Sequence, residues 1–208
     1  AAVGAIEGFA DLAEAPEVER LGGLTNRVYR VGAGDRAVVL RLPGKGTEDY
    51  IDRAAEAVNA RAAAAAGVSP AVLHFGADGV MLTEYVPATV TMTSAEFARR
   101  AGAVERAAQA FRRLHDRAAP FAGRFELFAM IDDYLGVLAR LGAILPEVYH
   151  VVVAEAGAVR AALDRAAVPL APCHCDPLCE NFLDTGTRMW VVDWEYAGNN
   201  DPLWDLGD

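Results

Sequence analysis

Near the end of the chain, His174, Cys175 and Asp176 are followed by Asn181, and Asp193 stands directly after the apolar run MWVV at 189–192. The surrounding pieces are short. Residues 170–173, 181–183 and 190–192 read as strands, separated by loops dense in Asp, Asn and Glu. Loop clusters on a scaffold of short strands are where chemistry-bearing side chains concentrate. A fold that uses these residues together must bring the loop at 174–181 against the strand end at 193, and this requirement constrains the chain more than any other feature.

The first 86 residues have a different texture. Residues 18–21, 28–31 and 37–42 read as three strands joined by Gly22-Gly23 and by the turn at 32–35, an antiparallel meander. Residues 50–66 repeat apolar side chains at helical spacing, and Gly67 closes the segment. A second hairpin follows, 72–75 and 80–85, before Pro87 begins a connector. Beyond it the spacing predicts helices from Ser94, which offers an N-cap, towards His115, then over 126–141 and 147–167, with apolar stripes that predict mutual packing. The expectation is an α+β chain in two lobes, an N-terminal antiparallel sheet with one helix over 1–86 and a mainly helical lobe over 87–208.

Composition narrows the function classes. A chain of 208 residues with net charge −10 has the wrong sign for neutralising a phosphate backbone, so no nucleic-acid partner is expected. No apolar stretch reaches the ~18 residues that a membrane span requires. Cys173, Cys175 and Cys179 form an odd, clustered set, unlike a secreted disulfide framework, and point to a reducing cytoplasm. As zinc ligands these thiols and His174 lack a second Cys/His pair to close a tetrahedron, and buried small thiols are the simpler reading.

The pattern H-x-D-x-x-x-x-N at 174–181 has the spacing of a phosphoryl-transfer loop. That reaction needs positioned charge more than covalent chemistry. A carboxylate at Asp176 can orient an acceptor hydroxyl and take its proton, while Asn181 and Asp193 offer oxygen ligands to Mg²⁺. Asn181 adds a ligand without a further negative charge. His174 reads as a hydrogen-bonding support for the loop. Taken singly, Asp176 and Asp193 would be a solvated turn residue and a strand-end cap, and joint spacing separates the two readings.

The motifs LGGLTNRVYRV (21–31), VVLRLPG (38–44), LTEYVP (82–87), RLHD (113–116), HCDPLCENFL (174–183) and VVDWEYAGNNDPLWDLGD (191–208) resemble the choline/ethanolamine kinase branch of the aminoglycoside phosphotransferase superfamily, which shares the protein-kinase-like fold. The resemblance implies ATP and Mg²⁺ as cofactors, Asp176 as catalytic base, and Asn181 and Asp193 as magnesium ligands. It places Arg41 at the nucleotide phosphates, with Glu56 as ion-pair partner or as an exposed helical glutamate. Thr25 and Asn26 fall at a phosphate-facing turn that lacks the full G-x-G-x-x-G, and Glu84, Tyr85 and Val86 look like the hinge that pairs with adenine. Asp205 resembles a bracing aspartate, and Glu195 either assists the metal or stabilises its loop. Trp194, Tyr196 and Trp204 are candidates to hold a cationic ammonium or to pack in the core. The implied activity is phosphorylation of an amino alcohol such as choline or ethanolamine; aminoglycosides or thiamine are alternative acceptors, and a non-catalytic nucleotide-binding module is the alternative from another class. Family members continue for several helices beyond the last motif, so the acceptor pocket is expected to be incomplete at Asp208.

Overall fold

The computed structural model describes residues 9, 16–23, 26–33, 35–47, 51–166 and 168–207. Strands β1 (Glu17–Gly22), β2 (Arg27–Ala33) and β3 (Arg36–Leu42) form the expected meander, and β4 (Val72–Phe75) and β5 (Met81–Glu84) complete an antiparallel sheet in the order β1-β2-β3-β5-β4. Side chains alternate across a strand, so Val38 and Leu40 share one face and meet Val31 and Leu82 in a small core. Between β3 and β4 runs α1 (Arg53–Ala65), which starts where Asp52 accepts from the amides of Ala54 and Ala55, both at 3.0 Å. Gly67, at φ +71°, stops it. The helix thus begins inside the expected 50–66, whose first residue, Tyr50, lies outside the described residues.

The main core lies further along the chain. Ala60 and Ala63 of α1 join Val68, Met92, Phe111, Leu114, Phe182, Val191 and Trp194 there, because alanine faces let the helix approach closely. The helix expected from Ser94 is two helices, α2 (Ser94–Arg99) and α3 (Ala103–Arg117), divided at Gly102, which takes φ +71°. The N-cap is Thr93 rather than Ser94, its hydroxyl accepting from Glu96 N at 3.1 Å. Mutual packing of all the helices is also corrected: α4 (Leu127–Arg140) and α5 (Tyr149–Arg165) hold no buried residue, and Arg160 links them through Asp132 at 3.4 Å and the ring of Phe128.

The last forty residues fold as β7 (Ala171–Cys173), β8 (Phe182–Asp184), β9 (Met189–Val191), β10 (Gly198–Asn200) and the short α6 (Trp204–Gly207). β8 is sandwiched between β9 and β6 (Val90–Thr91), and β7 pairs with β10. Gly198 sits where a Cβ would meet Phe125 N at 2.7 Å and Arg124 C at 3.0 Å, both backbone atoms. Gly198→Ala therefore overpacks a rigid contact and should lower stability by about 1–3 kcal/mol; a denaturant midpoint equal to that of the unsubstituted protein would contradict this packing.

Candidate functional site

The loop after β7 is held from below. Asp205 on α6, 3% exposed, accepts from the amides of His174 at 3.0 Å and Cys175 at 2.9 Å, and from His115 Nε2 at 2.8 Å. Cys175 takes a left-handed φ of +65°, a conformation uncommon outside glycine that turns the chain sharply before Asp176. The imidazole of His174 is fully buried and donates from Nε2 to the carbonyl of Val192 at 2.9 Å, tying this loop to the strand end that carries Asp193. Asn181 closes the loop: its side-chain nitrogen donates to the Asp176 carbonyl at 2.9 Å, and its backbone oxygen accepts from Val192 N at 3.0 Å.

The other half of the site comes from the first sheet. Arg41, on β3 and 4% exposed, donates through Nη1 to Glu56 Oε1, and the same nitrogen reaches Asp193 Oδ1 at 3.2 Å. Burial by itself would lower the guanidinium pKa, but the hydrogen bond and charge of Glu56, with Asp193 and Glu195 behind, outweigh it and hold the group above its usual range. Glu56 is 2% exposed, on the inward face of α1. Asp193 also has a left-handed φ, +69°. Burial pushes its carboxyl pKa up; Arg41 opposes this, and Glu56 and Asp176 add to it. Asp176 and Asp193 thus feel each other's charge across the site.

Asn26 bridges the halves, donating to Glu195 Oε2 at 3.2 Å and, more weakly, to Asp193 Oδ1 at 3.5 Å while accepting from Gly44 N at 3.3 Å. Thr25 lies outside the described residues. Glu84 ends β5 opposite Val38, Tyr85 stacks beneath Arg30, and Val86 accepts at its carbonyl from Thr89, so these three residues form the exit from the sheet. Sequence reading missed Arg53 and Thr47, which join Glu56 and Glu195; the signal available was an arginine three residues before Glu56 on a helical face.

Two clusters bear on metals. Glu56, Asp193 and Glu195 each present a carboxylate oxygen within 4.8 Å of the others. Both oxygens of Glu56 are occupied by arginines. Asp193 is partly open to solvent, and Asn181, with its nitrogen committed, retains its carbonyl oxygen. Hard oxygen donors of this kind fit Mg²⁺. His115, Cys173 and Asp205 also cluster, but Asp205 already takes three donors, and burial holds the Cys173 thiol pKa far above its usual range, which opposes thiolate ligation.

Known proteins resemble this chain in sequence and in fold. A choline/ethanolamine kinase family protein from Mesorhizobium loti, known from its crystal structure, is 57% identical, with a TM-score of 0.86 over 99% of this chain and 66% of that one. The choline kinase LicA from Streptococcus pneumoniae is 28% identical, with a TM-score of 0.77 over 91% of this chain and 67% of that one. Protein LicA of Haemophilus influenzae is 28% identical over 187 residues, 89% of this chain, which spans 55% of that relative's length. The model of the phosphotransferase enzyme family matches residues 17–208. Arg41 on the third strand meets Asp193 at a strand end that His174 ties to the 174–181 loop, and the chain belongs to the phosphotransferase enzyme family.

Proposed function

We propose that this chain carries the nucleotide-binding and phosphoryl-transfer centre of an ATP-dependent kinase acting on the hydroxyl of an amino alcohol such as choline or ethanolamine. Residues 1–86 are the nucleotide-binding lobe and 87–208 the lobe with the catalytic and metal-binding loops. The observation that carries the reading is the meeting of Arg41 and Asp193 at 3.2 Å, on a strand end that His174 ties to the Asp176 loop. Its family membership and its likeness to choline kinases support the substrate class.

In this reading Asp176 accepts the proton of the acceptor hydroxyl as its oxygen bonds to the γ-phosphorus and the bond to the ADP oxygen breaks. Arg41, held by Glu56, meets the phosphates. Asn26 and Thr25 are the proposed phosphate contacts from the preceding turn, and the main chain of Glu84, Tyr85 and Val86 receives the adenine. Asn181 and Asp193 would hold Mg²⁺, which when bound neutralises charge on the transferring phosphates. The persistence of Asp176, Asn181 and Asp193 together argues against a non-catalytic module. No helix among the described residues is long and apolar enough to cross a membrane, and the clustered thiols, two of them buried, suit a cytoplasmic setting.

The test is acceptor-dependent ADP release by the whole protein over a panel of choline, ethanolamine, thiamine and aminoglycosides; turnover should require one of the first two, and silence with all four refutes the reading. Asp193→Ala should weaken nucleotide binding in the presence of Mg²⁺ by about tenfold or more, a loss of the order of one charge-assisted contact, and leave metal-free binding nearly unchanged. Equal calorimetric affinities with Mg²⁺ would remove Asp193 from the metal.

A further inference from the structure

Glu56 serves two arginines. Its Oε1 takes Arg41, and its Oε2 takes Arg53 Nη1 at 2.7 Å. The same Arg53 nitrogen reaches Glu195 Oε2 at 3.3 Å, and Nη2 donates to the Thr47 hydroxyl at 2.7 Å. Thr47 in turn donates to the Gly44 carbonyl at 2.9 Å, Gly44 N donates to Asn26, and Asn26 donates to Glu195. The bonds close a ring that passes through the first turn of α1, the loop after β3, the turn before β2 and the loop after β9. Arg53 is its one cation, with its side chain 12% exposed, beside Glu56 at 1% and Glu195 at 5%.

Charge explains why a cation is needed there. Three carboxylates crowd within 4.8 Å, and Arg41 alone cannot offset them, because like charges at that range repel strongly where water is scarce. Without Arg53, the Glu195 carboxylate keeps the amide of Asn26 as a donor and faces Glu56 and Asp193. Glu56 would also lose the contact that fixes its second oxygen, and with it the aim of Arg41.

We propose that Arg53 is a positioning residue for phosphoryl transfer: by neutralising Glu195 and pinning Glu56, it keeps Arg41 directed at Asp193 and the phosphates. This rests on the kinase reading above. The planar guanidinium is what lets one side chain meet three partners, a geometry that lysine cannot reproduce.

A double-substitution cycle in the whole protein tests it, with Arg53→Met, Glu195→Gln, both together, and Arg53→Lys. Arg53→Met should lower kcat with little change in KM for the acceptor, and Arg53→Lys should not restore it. Adding Glu195→Gln to Arg53→Met should recover turnover by about tenfold, a mid-range coupling for contacting residues, because the unpaired carboxylate is the damaging group. The same recovery should appear in calorimetric affinity for ADP with Mg²⁺ and in the melting temperature of the nucleotide-free protein. Additive losses overturn the assignment, as does an Arg53→Met protein that melts early but turns over normally in the cold, which would make Arg53 a brace and nothing more. A parent protein with no acceptor-dependent ADP release overturns the kinase reading instead, and that result is visible before any variant is made.

Discussion

Asp176→Asn should lower turnover by about 10²–10⁴-fold, the range of a positioned general base, and leave affinity for ATP with Mg²⁺ close to that of the unsubstituted protein. The backbone of the loop around Asp176 is anchored by the side chains of other residues. Asn181 bonds the Asp176 carbonyl, and Asp205 holds the amides of the two preceding residues. A change from carboxylate to carboxamide keeps these anchors and the side chain's size, and removes the capacity to accept the acceptor's proton. Nucleotide affinity is not expected to fall, because the Asp176 charge works against the ionised form of Asp193; its loss relieves repulsion near the phosphates. Single-turnover kinetics at saturating acceptor separate chemistry from release. A rate within threefold of the parent's would move the base elsewhere and leave Asp176 a loop residue.

What the sequence exposed and what it hid differ in kind. The meander, α1 and the hairpin at β4–β5 were readable because alternation and helical periodicity extend over several residues each, with glycines at the turns. The approach of Arg41 to the tail of the chain was readable only through motifs, since nothing local to β3 announces a partner at position 193. The ring through Arg53 and Thr47 had only the i,i+3 spacing of Arg53 and Glu56 to announce it, since its other members lie on three further segments. β6 and β10, of two and three residues, are too short to show a period and exist through pairing with β8 and β7. The stripes on α4 and α5 misled for a related reason. An apolar stripe states that a helix has a face to cover but not what covers it, and among the described residues these two helices bury nothing.

The break at Gly102 leads to the largest stability effect expected. Asp184 at the end of β8 is fully buried and accepts from Arg106 Nε at 2.8 Å and Nη2 at 2.7 Å, from Arg100 Nε at 2.7 Å and from Gly186 N at 3.0 Å. A continuous helix would place Arg100 and Arg106 about 600° apart in rotation, on different faces; the left-handed turn at Gly102 is what lets both reach one carboxylate. Arg106 first, and Arg100 with the Gly186 amide, hold the Asp184 carboxyl down to about 2, against burial, from a usual 3.8. Because the folded pKa is the depressed one, the contribution is fully present above about pH 4 and is lost as pH falls through about 2, an effect of about 2 kcal/mol. Asp184→Ala leaves two arginines facing an apolar gap. Loss of one partner of a buried pair costs about 3–5 kcal/mol, and since both arginine side chains keep some solvent contact, the lower end applies. In a chain of this size that corresponds to a melting temperature lower by about 6–12 °C near neutral pH. The difference between parent and Asp184→Ala should shrink on acidification towards pH 2, where the parent's carboxylate takes up its proton. A gap that stays constant from neutrality to pH 2 would show that the carboxylate's charge is not what joins α2, α3 and β8.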